Sequence, residues 1–465
     1  MIDLTAADIA EVTGGELTAA SELVVRGAVE TDSRKVSTGG LFVANAGERT
    51  DGHDHAEAAL AAGAALVLAT RAIDSVPCVV VPDVERALGL LAADHLRRLR
   101  GLGEVRVVAV TGSVGKTTTK DLLGDLLTPA GETVLPAGSL NNEIGLPLTV
   151  LRATPATRYL VLEMGASAPG DLTYLTGIAP PDISVVLAVG SAHLGGFGDL
   201  DSVARAKSEL VTGLAPGGIA VLNADDHRVI AMRDVAPGQV VTFGTVRDCT
   251  VRAREVRIDR GGRVTFELEH AGSSAPVALR LVGEHHLTNA LAAAAAALEL
   301  GLPLADVAAR LGAARAASPH RMAVTDRADG VTVIDDAYNA NPDSMRAALK
   351  ALAVMAGRDR RSIAVLGEML ELGPDSRAVH DQIGRLVVRL NIKLLVVVGD
   401  GASGIGDGAT QEGSWGDEVL EVPDVETASR FLAGELREGD VVLVKASNGA
   451  GLWRLGDELA GSVAS

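Results

Sequence analysis

The chain has 465 residues, enough for about two to four domains, and 47% of them are hydrophobic, so a large core can be buried. Aromatic residues are only 2%, so Val, Leu and Ala must build that core. The formal charge of −18 argues against a general binder of nucleic acid or anionic membrane, which would want a basic face, although it leaves room for a local basic pocket around an anionic metabolite.

The opening "MIDLTAADIAEVTGG" carries acidic residues and no apolar core segment, so it does not read as a signal peptide. The first hundred residues alternate strand-like runs ("LFVAN", "ALVLAT", "CVVVPD") with Ala-rich helical ones. "VERALGLLAADHLRRLRGLGE" reads as a helix ending in Gly101 and Gly103, and a domain boundary is expected there. Buried strands then recur from about 104 to 318: "VRVVAV", "RYLVLEM", "DISVVLAVG" and "GGIAVLNAD". Helical patterns between several of them predict a parallel, doubly wound sheet. The stretch near 239–282 ("VVTFG", "VTFELEH", "VALRLVG") reads as an antiparallel insert. "LAAAAAALELGL" is the nearest thing to a membrane span, but Glu299 interrupts it and Ala is a strong helix former, so a buried helix is expected.

A second strand series begins at "VTVIDDAYN" and continues through "RSIAVLGEM", "KLLVVVGD" and "DVVLVKASN". The expected fold class is therefore α/β in three domains. Residues 1–102 form a small N-terminal α/β domain, 103–318 a central doubly wound parallel sheet with a phosphate loop, and 319–465 a C-terminal Rossmann-like domain. In such sheets ligands bind beyond the carboxyl ends of the strands. Cys78 and Cys249 have no metal-ligand spacing and read as reduced thiols of a cytosolic protein.

The chemistry centres on "VRVVAVTGSVGKTTTKDLL", residues 105–123. A strand breaks into Gly112-Ser113-Val114-Gly115-Lys116-Thr117-Thr118, and a helix with Leu122, Leu123, Leu126 and Leu127 on one face follows. Glycines let backbone N–H groups approach phosphate oxygens, Lys116 adds charge, the helix N-terminus adds its dipole, and the Thr117 hydroxyl can ligate Mg2+. Val110 stands where the longer form of this loop has glycine, so the loop is the shorter G-x-x-G-K-T.

Glu163 ends "RYLVLEMG" and His193 follows "VVLAVGSAH", so a parallel sheet brings both to the phosphate-loop side, where they suit a second Mg2+. By spacing alone His193 is an ordinary loop histidine, and Lys207 in "DLDSVARAKSELVTGL" a solvated helix residue. In "IDDAYNANPDSM", Asp335 and Asp336 end a strand and Tyr338, Asn339 and Asn341 crowd the turn. That turn is either a polar site or a helix start capped by Asp343 or Ser344. The segment 30–55 is dense in turn residues; it either holds an anionic ligand through Ser33, Arg34 and backbone N–H groups or is a long surface loop.

Taken in order, these motifs resemble the Mur ligases, ATP-dependent amide-forming enzymes of peptidoglycan precursor synthesis, over essentially the whole chain. "AVTGSVGKTTTK", "SLNNEIGLPLTVL", "LEMGASAPGDL", "VARAKSEL", "GEHHLTNALAAAAA" and "DDAYNANPDSM" carry the likeness. The resemblance implies one domain each for a UDP moiety, for ATP and for the incoming amine. It implies that the carboxylate of UDP-N-acetylmuramoyl-tripeptide is activated by ATP as an acyl phosphate and opened by D-alanyl-D-alanine. Lys116 would then steady the β- and γ-phosphates, held also by the 112–118 loop, while Thr117, Glu163 and His193 ligate Mg2+. Lys207 matches a lysine usually carbamylated with carbon dioxide, which as an anion can sit beside the metal. Asn289 would contact adenine, Arg321 and Asp336 the nucleotide, Ser33 and Arg34 the UDP-substrate, and Tyr338, Asn339 and Asn341 D-alanyl-D-alanine. A cytoplasmic monomer is expected.

Two positions depart from the family pattern: His286 stands in place of an expected Asn, and Asn448 in "VKASNGAGL" in place of an Arg. A paralogue with a different acceptor, another Mur-type or folylpolyglutamate-type ligase, a phosphate-loop ATPase and a non-catalytic nucleotide module are the competing readings.

Overall fold

The computed structural model describes residues 1–47, 50–190, 197–246, 248–413 and 418–461. Three main sheets organise them. In the first, Val29–Glu30, Gly40–Val43, Ala64–Ala69 and Cys78–Val80 pair in parallel in that order, and Glu16–Leu17 adds an antiparallel edge. The helix Val84–Leu102 follows. Asp83 caps its start by accepting from the N–H groups of Glu85 and Arg86, and it runs through Gly101 to stop before Gly103. Its buried face (Ala87, Leu88, Leu91, Ala92, Leu96, Leu99) joins a core continuous with the next sheet.

The central sheet has nine strands. Arg106–Thr111 lies in its middle, with Tyr159–Glu163 on one side and Ile183–Val186 on the other, all parallel. The chain therefore reverses its direction of strand addition at the end of Arg106–Thr111, which is where an open α/β sheet leaves a crevice. Ile219–Asn223 and Gln239–Gly244 continue the parallel order. This corrects the expected insert: "QVVTFG" is a parallel strand buried over residues 241–244, as its mostly apolar run allows. The strands Val251–Ile258, Arg263–His270 and Ser273–Val282 extend the same sheet antiparallel, and their alternating burial marks one covered and one open face.

The phosphate-loop helix, Lys116–Leu127, buries Leu122, Leu123, Leu126 and Leu127 against the Ala-rich helix His286–Glu299. Ala290 and Ala292 to Ala297 are fully buried there. Their small side chains let the two helices approach closely. Among the described residues no helix is long and apolar enough to cross a membrane.

The third sheet has six strands in the order Ala323–Asp326, Thr332–Asp335, Val441–Lys445, Ser362–Leu366, Leu394–Val398 and Val419–Val422. All pair in parallel except Ala323–Asp326, an antiparallel edge strand. That edge was not expected. "AVTD" is half exposed and offers no apolar run to read. The next helix, Pro342–Ala356, starts at Asn341, whose side chain accepts the Ser344 N–H while Ser344 accepts the Asn341 N–H. Asn341 is thus the cap, not Asp343 or Ser344.

Candidate active site

The phosphate loop sits at the carboxyl end of Arg106–Thr111. Gly115 has a φ of 86°, and a Cβ there would stand 2.2 Å from Asn289 Oδ1. Only glycine lets the His286–Glu299 helix close on the loop. Lys116 Nζ donates to the Gly112 carbonyl at 2.9 Å. Burial lowers its pKa, Arg321 adds to the lowering, and Glu163 opposes it. A cavity of about 1230 Å³ opens in front of this loop.

Glu163 ends its strand level with Val110 and is buried. Its Oε2 accepts the Thr117 hydroxyl at 3.0 Å and its Oε1 accepts Asn141 Nδ2 at 2.8 Å. The carboxylate is thus aimed at the helix start that carries Lys116. Lys207, on the helix Leu200–Thr212, is 3% exposed, which overturns its reading as a surface residue. It forms no hydrogen bond or ion pair with another described residue. Burial, and then Lys116, push its pKa down to about 7. His193 lies outside the described residues.

The third sheet supplies the opposite wall. Arg321 and Tyr338 line the cavity, with the guanidinium carbon 4.2 Å from the ring centre, and Arg321 Nε has no partner among the described residues. Tyr338 Oη and Ser139 Oγ lie 2.7 Å apart, and Asn341 Nδ2 reaches the Ser113 carbonyl at 3.4 Å. These two contacts join the turn that carries Tyr338 and Asn341 directly to the central sheet. Asp336 accepts from Lys445 Nζ at 2.5 Å and from the Met322 N–H at 3.0 Å, and Lys445 also donates to the Asn339 carbonyl at 2.9 Å. Asp335 is turned away, held by His320 Nδ1 at 2.6 Å. Burial raises the pKa of Asp335 against that histidine.

Asn289 Nδ2 meets His286 Nδ1 at 3.3 Å, and the His285 and His286 rings are 4.1 Å apart. Burial pulls the His285 pKa down to about 4 and that of His286 well below its usual value, so both are neutral at pH 7. His285 Nδ1 and His286 Nε2, on residues that line the cavity, have no partner among the described residues. The cavity continues between the helices Val84–Leu102 and Asp171–Ile178, past Arg86, Leu90 and Tyr174. A Cβ on Gly89 would stand 2.6 Å from the Tyr174 hydroxyl, so this mid-helix glycine lets the tyrosine seat.

The structure thus gathers Ser113, Val114, Gly115, Lys116, Thr117, Thr118, Glu163, Asn289, Arg321, Asp336, Tyr338, Asn339 and Asn341 around one cavity. Ser33 and Arg34 do not reach it. They form the turn Ser33–Lys35 beside the first sheet, where the exposed Arg34 pairs with Asp32 at 2.8 Å. Asn448 is exposed at the start of a short turn. Lys445, Asn141 and Ser139 were not singled out from the sequence. Lys445 could have been, because it ends a parallel strand as Glu163 does; Asn141 and Ser139 sit in a loop marked only by the likeness of "SLNNEIGLPLTVL".

Three family descriptions match the chain: "Mur ligase family, catalytic domain" over residues 27–96, "Mur ligase middle domain" over 110–297, and "Mur ligase, glutamate ligase domain" over 320–448. A curated protein of Mycobacterium tuberculosis, named UDP-N-acetylmuramoyl-tripeptide--D-alanyl-D-alanine ligase, is 48% identical and covers 99% of this chain and 98% of its own. The chain belongs to the Mur ligase family. Two solved structures of MurF resemble this Mur ligase along nearly its whole length. That from Acinetobacter baumannii has a TM-score of 0.87 at 32% identity, covering 99% of each chain. That from Thermotoga maritima, in complex with ADP, has a TM-score of 0.78 at 31% identity, covering 94% of this Mur ligase and 98% of the other chain.

Proposed function

We propose that this Mur ligase joins D-alanyl-D-alanine to UDP-N-acetylmuramoyl-tripeptide at the expense of ATP, releasing ADP and phosphate in cytoplasmic peptidoglycan precursor synthesis. The observation that carries the reading is the meeting of the phosphate loop and the Tyr338–Asn341 turn in one cavity, because bond formation needs the nucleotide and the amine acceptor together. The whole-length likeness to the Mycobacterium tuberculosis ligase supports the substrate pair. Within this reading residues 1–102 bind the UDP moiety, with Ser33 and Arg34 facing it, 103–318 bind ATP, and 319–465 bind the amine.

The chemistry follows from the groups present. A carboxylate and an amine do not condense in water, so the acid must first gain a leaving group. A tripeptide carboxylate oxygen attacks the γ-phosphorus of ATP. The bond to the β-phosphate oxygen breaks, and its electron pair leaves with ADP. Backbone N–H groups of residues 113–118 and the Lys116 ammonium take up charge on the phosphate oxygens. Arg321, whose Nε has no partner among the described residues, lines the same space and adds a cation from the third-sheet side. The neutral amine of D-alanyl-D-alanine, placed by Tyr338, Asn339 and Asn341, then adds to the acyl carbon. The tetrahedral centre collapses, the C–O bond to phosphate breaks, and the nitrogen's surplus proton passes to the released phosphate. Asp336, fixed by Lys445, stands beside Asn339 at this wall and also faces the nucleotide. Asn289 and the neutral His286 face the base.

The residues present fit a divalent cation. Thr117 and Glu163 are hydrogen-bonded to each other at the phosphate loop, and His193 would join them. Lys207 has the environment for carbamylation. A buried amine with a pKa near 7 is largely neutral at physiological pH, and its lone pair can add carbon dioxide with loss of a proton. The carbamate would then be an anion beside the metal. When bound, Mg2+ would neutralise charge on the transferring phosphoryl group.

Phosphate release from ATP is the test. Release that requires both UDP-N-acetylmuramoyl-tripeptide and D-alanyl-D-alanine is expected. Release with neither would overturn the ligase reading in favour of an ATPase, and a requirement for a different acid or amine would move the substrate assignment.

A further inference from the structure

The phosphate-loop helix carries a second lysine one turn beyond Lys116. Lys120 is 2% exposed and does not line the cavity. Its Nζ donates to the carbonyls of Pro136 at 3.1 Å and Gly138 at 3.2 Å, and lies 2.5 Å from Asp121 Oδ1. Two of the ammonium's N–H bonds therefore meet carbonyls, and the Asp121 carboxylate stands beside it as a counter-charge. A cation buried this deeply is retained only where such partners replace water. Two of the three belong to a loop beyond the end of its own helix.

That loop feeds the active site twice. Gly138 holds a left-handed backbone, φ 62°, between the carbonyls bound to Lys120 and the residues that reach the cavity. Ser139 comes next, with its Oγ 2.7 Å from Tyr338 Oη across the cavity. Asn141 gives its Nδ2 to Glu163 Oε1, and its carbonyl accepts the Gly165 N–H at 2.8 Å. Lys120 therefore stands behind both Glu163 and Tyr338 while touching neither.

We propose that Lys120 is a positioning residue: by gripping the 136–138 carbonyls it sets Ser139 and Asn141 so that Glu163 and the Tyr338 turn meet the phosphate loop in one geometry. Lys116 and Lys120 share one rigid helix turn. The clamp on the phosphates and the clamp on the loop are thereby held at a fixed spacing. The role of Tyr338 in this scheme rests on the ligase reading; that of Glu163 rests only on nucleotide and Mg2+ binding.

The test compares Lys120→Met, which keeps length and loses the donors, with Lys120→Arg, each followed by thermal unfolding, by the Mg2+ dependence of ADP affinity, and by the KM for D-alanyl-D-alanine. Partners one step behind a metal ligand typically change metal affinity or activity by about 10- to 100-fold. Lys120→Met is expected to raise the Mg2+ midpoint and the acceptor KM by about tenfold each, with the KM for the UDP-substrate within about twofold. Lys120→Arg, which restores donors to the carbonyls, recovers part of both. Ser139→Ala raises the acceptor KM in the parent protein but adds little on top of Lys120→Met, because both act through one loop. A Lys120→Met protein with a lower Tm but unchanged Mg2+ midpoint and acceptor KM would overturn the proposal, as would full additivity with Ser139→Ala. Should Lys120→Met not fold, Lys120→Gln, which retains a donor for one carbonyl, carries the same readouts. The Mg2+ midpoint for ADP needs neither substrate, so it decides the part concerning Glu163 even if the ligase reading fails.

Discussion

Lys116 and Lys207 are two amines that interact electrostatically at the phosphate loop, and their surroundings differ. Burial lowers the pKa of Lys116 while Glu163 opposes that lowering, and Lys116 lines the cavity at the phosphate loop. Replacing it with Met removes a charge-assisted contact to the transferring group, and kcat is expected to fall by about 100-fold or more with the fold retained, measured by steady-state phosphate release beside circular dichroism. Lys207 has no such counter-charge among the described residues and sits near a pKa of 7. Carbamylation consumes the neutral amine and releases a proton, so it is favoured above that pKa and lost as pH falls below it. Protein equilibrated with 13C-bicarbonate should show one carbamate carbon resonance at pH 8 that fades toward pH 6 and is absent from Lys207→Arg. A spectrum without that resonance at pH 8 would remove the carbamate from the site. Helical periodicity gave Lys207 no distinction from a surface residue, because a buried amine and a solvated one occupy the same place in an amphipathic pattern. Only its tertiary surroundings, and the family likeness, set it apart.

At the scale of elements, strand ends did most of the positioning, and those were legible. The runs ending in Thr111, Glu163, Asp335 and Lys445 are apolar until a polar residue marks the sheet's carboxyl edge. Loops were less legible. Nothing in "PAGSLNN" announces that its carbonyls hold Lys120 or that its side chains reach both Glu163 and Tyr338. The edge strand Ala323–Asp326 escaped for a related reason, since an edge needs only one satisfied side and little apolar content. The helix Val84–Leu102 makes a test of how the first and second sheets are joined. His95, buried on that helix, meets the Ala153 carbonyl through Nε2 at 2.9 Å, and burial lowers its pKa to about 4. Its folded pKa lies below its unfolded one, so its share of stability is intact above about pH 6.5 and is lost as pH falls toward 4. The loss is at most about 3 kcal/mol. Denaturant unfolding of His95→Gln should show a flatter pH profile across that window than the parent chain; an identical profile would place the titration elsewhere.

Across the whole molecule, a strongly acidic chain gathers basic side chains at one place. Lys116, Lys207 and Arg321 interact electrostatically around the phosphate loop, and Lys445 stands on the opposite wall with Asp336. Those residues come from two sheets, so the set is complete only when the third sheet stands against the central one. The Ser139–Tyr338 and Asn341–Ser113 contacts hold it so. Closure of this kind keeps water from an acyl phosphate, which would otherwise hydrolyse. Asn341 serves two scales here, as helix cap and as part of the bridge. Asn341→Ala is expected to cost about 1 kcal/mol in unfolding free energy and to weaken acceptor binding as well, read by denaturant titration beside the KM for D-alanyl-D-alanine. Loss of stability with an unchanged KM would confine it to capping. The order of the three sheets was readable from strand patterns, but their contact across one cavity was not, because no local pattern encodes which domain faces which.

The central claim is that the energy of the nucleotide passes through a mixed anhydride of the acid. Tripeptide substrate labelled with 18O in the reacting carboxylate, turned over with ATP and D-alanyl-D-alanine, tests it directly by mass spectrometry of the released phosphate. The account predicts one 18O atom transferred to each phosphate formed from fully labelled carboxylate. Phosphate free of label, with amide product formed at the same rate, would contradict it.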